Sequence, residues 1–476
     1  MDRKSCAKSN RSRLYNTAET LPQGVQVKVN KLCILGLGYI GLPYAATFAA
    51  RGIEVHGVDV NPRVIESLQA GKIHIHEPGL QDVLDEALRA GKLTVSSQPV
   101  EADAFIIAVP TPFQHDKFGE HNGIRFKLAD MRAVTSATEA IVPMLRKGNL
   151  VILESTSPPR TTVELVAPIL ARSNLQAGTD FHLCYSPERM LPGNLLHELV
   201  NNARIIGGIT PESTRAARDL YATFVKGEIH ETDATTAEMV KIMENTTRDV
   251  NIAIANEFAR LAEKFGVDVW EAIRLANLHP RINILNPGPG VGGHCISVDP
   301  WFLVEAAPEL TKMIYHARQV NDAQPHFVVE KVKQALAQAA VPGGEDSALQ
   351  NKKIAALGLA YKPDVDDLRE SPAADVIRLL QKEGATVRAW EPFAPNAKLE
   401  GVDMASDLDS AVKDADAILL LVSHSQFRNL NPVNIASNTS ARVIVDTVNA
   451  WNADTWKTAG FNFHRLGDAK SPVSNL

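Results

Sequence analysis

From residue 31 onward, short unbroken apolar runs alternate with longer stretches in which apolar positions recur every three or four residues. The runs 31–37, 55–60, 104–109, 150–154, 181–185 and 204–206 read as strands, and the stretches 80–90 and 131–145 as amphipathic helices between them. Apolar runs this short, separated by helical periods, predict parallel βαβ units with right-handed crossovers. Residues 236–265 then run without Pro or Gly, enough for about 45 Å of helix. Gly266 is the expected stop, and a second helix is expected over 269–278. A polar stretch at 342–347 reads as a linker. The strand pattern restarts at 353–357, 386–390, 417–422 and 442–446, with no detectable sequence repeat of the first half. The expected fold class is α/β: two Rossmann-like parallel-sheet domains joined by a long central helix.

Composition narrows the classes. The 476 residues are 45% hydrophobic and 22% charged, which suits a folded chain. Forty-nine Lys and Arg against 55 Asp and Glu give a net charge of −6, which argues against nucleic acid as a partner. No apolar run approaches the roughly 18 residues that span a bilayer, so no membrane partner is expected. Cys6, Cys33, Cys184 and Cys295 are scattered and form no C-x-x-C pair, which predicts neither a zinc ribbon nor a disulfide framework. That usage fits a reducing, cytoplasmic setting with room for one reactive thiol. Cys33 and Cys184 fall inside strands and read as core. The basic start, 1–30, reads as a disordered extension. His74 and His76 have no further ligand nearby in sequence, so no metal site is expected.

Gly36-Leu37-Gly38-Tyr39-Ile40-Gly41 follows a predicted strand and opens a helix. Gly36 permits the tight turn, Gly38 lets backbone N–H groups approach a pyrophosphate, and Gly41 allows close helix–strand packing. Asp59, at the end of the next strand, is placed to accept from the adenosine ribose hydroxyls, which favours NAD over NADP. Gly358-Leu359-Ala360-Tyr361-Lys362 also follows a strand; lacking the later glycines, it reads as a phosphate or nucleotide site.

The segment from Asn286 to Pro300 carries four glycines and three prolines around His294-Cys295 and Asp299. It can form neither helix nor central strand, and it sets a cysteine in a backbone-rich loop that suits a nucleophile. This segment resembles the active-site loop of the nucleotide-sugar 6-dehydrogenases, the UDP-glucose/GDP-mannose dehydrogenase family. Ala108-Val109-Pro110-Thr111-Pro112, Glu154-Ser155-Thr156-Ser157-Pro158, Tyr185-Ser186-Pro187-Glu188-Arg189 and Leu368-Arg369-Glu370-Ser371-Pro372 carry the same resemblance.

The resemblance implies an NAD-binding domain over 31–230, a helical connector and dimerisation domain over 231–340 with the cysteine loop, and a UDP-sugar domain over 350–476. It implies oxidation of the C6 alcohol of a UDP-N-acetylhexosamine, with the D-mannosamine epimer expected, for surface polysaccharide synthesis. Cys295 would hold a thiohemiacetal and then a thioester, and a cation beside it should favour the thiolate. Lys241 and Asn245 would stabilise the oxyanion, Asp299 would act with water as base, Glu188 would serve thioester hydrolysis, and Thr156 would lie near that water and the nicotinamide. Tyr39, Ile40, Thr111, Thr156 and Arg369 join the glycines and Asp59 as cofactor contacts. Arg189, Met190, Lys241, Asn245, Arg248, His279, Arg281, Gly292, Tyr361 and Lys362 are the implied substrate contacts. Two departures stand out. Asp446-Thr447-Val448-Asn449 lacks the arginine of a D-T-R-G-type motif, and Val64 stands where many members have an arginine. Alternatives at this point are UDP-N-acetylglucosamine or UDP-glucose as substrate, a two-electron 3-hydroxyacid dehydrogenase, and a non-catalytic sugar-nucleotide sensor.

Overall fold

The computed structural model describes residues 28–75, 77–190, 193–339 and 349–468. The basic extension up to residue 27, the linker at 342–347, His76 and the last residues of the chain lie outside the described residues.

Two sheets dominate. In the eight-stranded sheet the spatial order is Ile229–Asp233, Arg204–Gly208, His182–Tyr185, Leu150–Leu153, Ala104–Ile107, Lys31–Leu35, Glu54–Val58, Leu93–Ser96. In the six-stranded sheet it is Asp403–Met404, Thr386–Trp390, Lys353–Leu357, Ala417–Leu420, Val443–Asp446, Asn462–Arg465. The strand order reverses at Lys31–Leu35 in the first sheet and at Lys353–Leu357 in the second, which opens a ligand crevice beyond the carboxyl end of each. Central strands such as Ala104–Ile107 and Leu150–Leu153 are buried along their whole length, because helices cover both faces of a parallel sheet. The α/β expectation is met, with one correction: His182–Tyr185 pairs antiparallel with Arg204–Gly208. The chain reaches that strand through the helix Leu195–Asn201 and enters the sheet from the opposite end.

The edge strands were not read from the sequence. Leu93–Ser96, Ile229–Asp233 and Asn462–Arg465 are only partly buried and lack apolar runs. A hairpin, Phe113–His121 with Ile124–Ala129, is also additional. Its Asn122-Gly123 turn has positive φ at both residues, the usual signature of a tight hairpin.

The central helix is Ala234–Phe265, 32 residues and about 48 Å long. It begins two residues before the predicted start because the Asp233 carboxylate caps the Thr236 N–H at 2.9 Å. It ends on Gly266 at φ 75°, where the left-handed conformation suits glycine. Ala234 and Ala237 pack into the core of the first sheet, while Ala255, Ala259 and Ala262 pack into that of the second.

A buried ion pair fixes the far end. Glu263 accepts from Lys331 Nζ at 2.6 Å and from the Gly467 N–H at 2.8 Å, tying the central helix to Gln324–Ala339 and to the turn after the last strand. Both charges are almost fully out of water. Removing one partner leaves the other buried and uncompensated. Lys331→Met is therefore expected to cost about 3–5 kcal/mol, part of which Glu263→Leu in the same chain should return. Chemical denaturation of the two variants checks this, and a single-variant loss under about 1 kcal/mol would refute it.

Candidate active site

The glycine loop is built as its spacing requires. Gly36 has φ +94°, and a Cβ there would lie 2.4 Å from the Ala108 carbonyl oxygen. A Cβ on Gly41 would lie 1.8 Å from the Gly36 carbonyl oxygen, so the helix Gly41–Ala50 can approach the strand only as glycine. Gly38 faces open space, the side from which a pyrophosphate would come. Asp59, just past the strand Glu54–Val58, accepts from the Leu37 and Asn61 N–H groups at 2.9 and 2.8 Å. Its remaining lone pairs are free for ribose hydroxyls. These features fit a dinucleotide, held at a helix N-terminus by backbone N–H groups. Tyr39 and Ile40 continue the loop. Thr111 donates to the Thr156 carbonyl oxygen at 2.7 Å, joining the two expected threonines.

A second cluster sits on the central helix. Lys241, Asn245 and Arg248 recur at i, i+4 and i+7 and so share one face. Lys241 is buried. Burial works against its charge, but Glu188, Cys295, Asp299 and Glu244 outweigh it and hold Lys241 above the ordinary lysine range. Asn245 donates to Asp299 at 2.6 Å. Asp299 opens the helix Asp299–Ala306, and its N–H donates to the Cys295 carbonyl oxygen at 2.8 Å, so cysteine and acid share one turn. Burial pushes the Asp299 carboxyl up to about 6, against the pull of Lys241 and Asn245. Glu188 is raised by burial too; Lys241 and the Met190 N–H oppose that rise.

Cys295 keeps some exposed surface, while the protein packed around its sulfur and the Asp299 charge push the thiol up to about 12. Lys241 is the cation expected beside it and acts in the opposite direction, toward the thiolate.

The second α/β domain closes over the cysteine loop. A Cβ on Gly292 would meet the Glu370 carbonyl oxygen at 2.3 Å, and one on Gly293 would meet the Tyr361 ring at 2.9 Å. The side-chain space of Gly292 is thus filled by protein, and its missing Cβ serves a domain contact. His294 Nε2 lies 3.3 Å from Asp367 Oδ2. Asp367 also takes two N–H bonds from the Arg369 guanidinium, at 2.9 and 2.8 Å, which helps hold that carboxyl well below its usual range. Tyr39 of the glycine loop feels the charges of Asp366, Asp367 and Arg369, which brings Arg369 within electrostatic reach of that loop. Lys362 feels Glu198, Glu77 and Arg248 together, which places it between all three parts of the chain.

Other expected residues are occupied or distant. Arg189 is paired with Glu244 and with the Ala203 carbonyl oxygen. Met190 is buried, and its N–H donates to Glu188. His279 and Arg281 are exposed, joined by a 3.3 Å bond from the Arg281 N–H to His279 Nδ1. His74 lies beside Asp59, and burial lowers it below the usual histidine range. Among the described residues no group of three or more His, Cys, Asp or Glu is placed to hold a metal ion. None of the described helices is long and apolar enough to cross a membrane. Asp367, His294 and Glu244 were missed, although Asp367 stands immediately before a motif already singled out, Leu368 to Pro372.

The chain matches three family models in order. These are the NAD-binding domain of the UDP-glucose/GDP-mannose dehydrogenase family over residues 30–225, its central domain over 235–323 and its UDP-binding domain over 355–453. It is 46% identical over 431 residues to the UDP-N-acetyl-D-mannosamine dehydrogenase of Escherichia coli, covering 88% of this chain and 99% of that one. It is 44% identical over 443 residues to an NDP-N-acetyl-D-galactosaminuronic acid dehydrogenase of Ralstonia solanacearum, covering 91% and 99%. The solved UDP-N-acetyl-mannosamine dehydrogenase of Staphylococcus aureus superposes with a TM-score of 0.82 at 43% identity, covering 93% and 100%. With its fold, its dinucleotide loop and all three domain matches in agreement, the chain belongs to the UDP-glucose/GDP-mannose dehydrogenase family, and is an NAD-dependent nucleotide-sugar dehydrogenase.

Proposed function

We propose that this enzyme oxidises the C6 alcohol of UDP-N-acetyl-D-mannosamine to the uronate in two hydride transfers, for surface polysaccharide synthesis. The observation that carries the reading is the convergence of Cys295, Lys241, Asp299 and Glu188 at one place. When bound, NAD would supply the hydride acceptor for both steps, with the glycine loop holding its pyrophosphate and Asp59 its ribose. Asp299, with a water, takes the proton of the C6 hydroxyl. Lys241 stays cationic and, with Asn245, meets the oxygen that becomes negative. The Cys295 sulfur adds to the aldehyde carbon as its proton passes, through the Asp299 water, to the aldehyde oxygen; loss of that hydroxyl proton to Asp299 and of the second hydride then leaves a thioester. Water then attacks the acyl carbon as Glu188 takes its proton; the C–S bond breaks and the carboxylate leaves.

Arg248 and Lys362 supply counter-charge for the diphosphate, with Tyr361 beside them. His279 and Arg281 lie outside the cluster and are given no step. The names of the relatives support the mannosamine epimer, and the Ralstonia relative, at similar identity, makes a galactosamine-type substrate the rival. Dimerisation through the central helix is part of the proposal. Ile254, Phe258, Leu261 and Phe265 are exposed at i, i+4, i+7 and i+11 and form one apolar stripe, a second copy of which is its complement.

NADH absorbance with a panel of UDP-hexosamines is expected to show selective use of the mannosamine epimer, with two NADH per sugar. Equal turnover of the galactosamine or glucosamine epimer would overturn the epimer assignment. Cys295→Ser is expected to abolish net acid formation; normal acid yield from that variant would remove the thioester. Because Asp299 is raised to about 6, its base form is present only above that value. The first hydride step should fall off below about pH 6, and Asp299→Asn should lose about 10²–10⁴ in rate without that limb. Phe258→Asp with Phe265→Asp should yield monomers by light scattering, and an unchanged oligomer would exclude the stripe as the interface.

A further inference from the structure

Behind Glu188 lies a buried charged group that the mechanism above does not use. Arg204 begins the strand Arg204–Gly208 and is buried. Its Nη1 donates to Ser186 Oγ at 3.2 Å and lies 3.6 Å from Glu154 Oε1. The Tyr221 hydroxyl donates to the same Glu154 oxygen. The guanidinium lies over the Tyr221 ring at 4.5 Å and over the Tyr44 ring at 5.4 Å. Arg204 is thus gripped by four side chains from four elements. A buried Arg–Glu pair adds little to stability, because the cost of desolvating two charges rivals their attraction. Apolar residues would join these strands as well, so the placement asks for another reason.

The reason is Ser186, two residues before Glu188 in Ser-Pro-Glu-Arg. We propose that Arg204 is a positioning residue for Glu188. Through Ser186 it fixes the turn that presents the glutamate, and its charge favours the carboxylate that accepts the proton of the attacking water. Glu154 and Tyr221 brace it. The inference rests on the thioester reading of Glu188 given above. The groups that act on Glu188 agree with it. Lys241 on the central helix, Arg204 and the N–H groups of Arg189 and Met190 favour its ionised form, and burial opposes it. Glu154, Tyr44, Tyr185 and Cys295 are the other titratable groups within its reach.

The test follows breakdown of the acyl-enzyme on the full-length enzyme, by acid quench and intact mass against pH. Arg204→Met is expected to accumulate acyl-enzyme, slow its hydrolysis about tenfold at mildly acidic pH, and move the acid limb of that step to higher pH. Arg204→Lys keeps the charge and should return the limb to its original position while hydrolysis stays slower. Ser186→Ala should slow hydrolysis without moving the limb. Where Arg204→Met does not fold, the Arg204→Lys and Ser186→Ala pair decides: wild-type hydrolysis rates in both would overturn the proposal. So would a folded Arg204→Met with an unmoved limb, since a merely structural role would lower only the folded fraction. Glu188→Gln is the control for the underlying reading. If it accumulates no acyl-enzyme, that reading fails and the proposal falls with it. If it accumulates acyl-enzyme while the Arg204 and Ser186 variants behave as wild type, only the positioning role fails.

Discussion

Everything at the centre of this molecule depends on two side chains that are absent. Gly292 and Gly293 bring the cysteine loop so near the second α/β domain that even a methyl group would strike the Glu370 carbonyl oxygen or the Tyr361 ring. At Gly292 the contact is backbone against backbone, where little can give. It therefore fixes the height of Cys295 relative to Tyr361, and through His294 and Asp367 relative to Arg369 and the dinucleotide crevice. Glycine-rich loops invite a reading as ligand cradles; here two of the glycines serve the meeting of domains.

The two α/β halves share a device that their sequences hide. Gly36 and Gly358 both have positive φ, and their N–H groups bond to Val58 and Trp390, the last residues of the neighbouring strands. Asp59 then accepts from the Leu37 N–H, and Glu391 accepts from the Leu359 N–H at 2.7 Å. After that the halves part. Asp59 stays partly exposed. Glu391 is buried and takes further bonds from the Ala360 N–H, the Phe393 N–H and His424. An acid so fully engaged closes its own loop and has no lone pair to spare for a ribose. One turn geometry leaves an acid open toward the crevice in one half and makes a structural knot in the other.

The sequence made legible what is local or periodic. Central strands announce themselves as apolar runs because both faces are covered, and the glycine loop and Asp59 because backbone geometry admits few residues there. The 32-residue helix was visible through its lack of breakers. Edge strands were not, since half their surface is polar. The antiparallel strand was hidden because pairing direction depends on which end of the sheet a connection reaches. Of the site, the glycine-rich loop itself brought Cys295 into view, the family resemblance implied Lys241, Asn245, Asp299 and Glu188, and the structure gathers them. What stayed hidden was electrostatic balance. A cation near a cysteine suggests a thiolate, yet two carboxylates lie in the same field, and only three-dimensional neighbours reveal their sum.

The central helix belongs to both hydrophobic cores and carries the reactive cluster between them. It works as an indexed shaft. Each residue of an α-helix turns the chain by roughly 100° and advances it about 1.5 Å. The orientation of Lys241 against the alanines that seat the second domain is therefore set by a count of residues. Side chains on the exposed face of this segment can be exchanged, but a change of its length by one would turn one half of the enzyme away from the other.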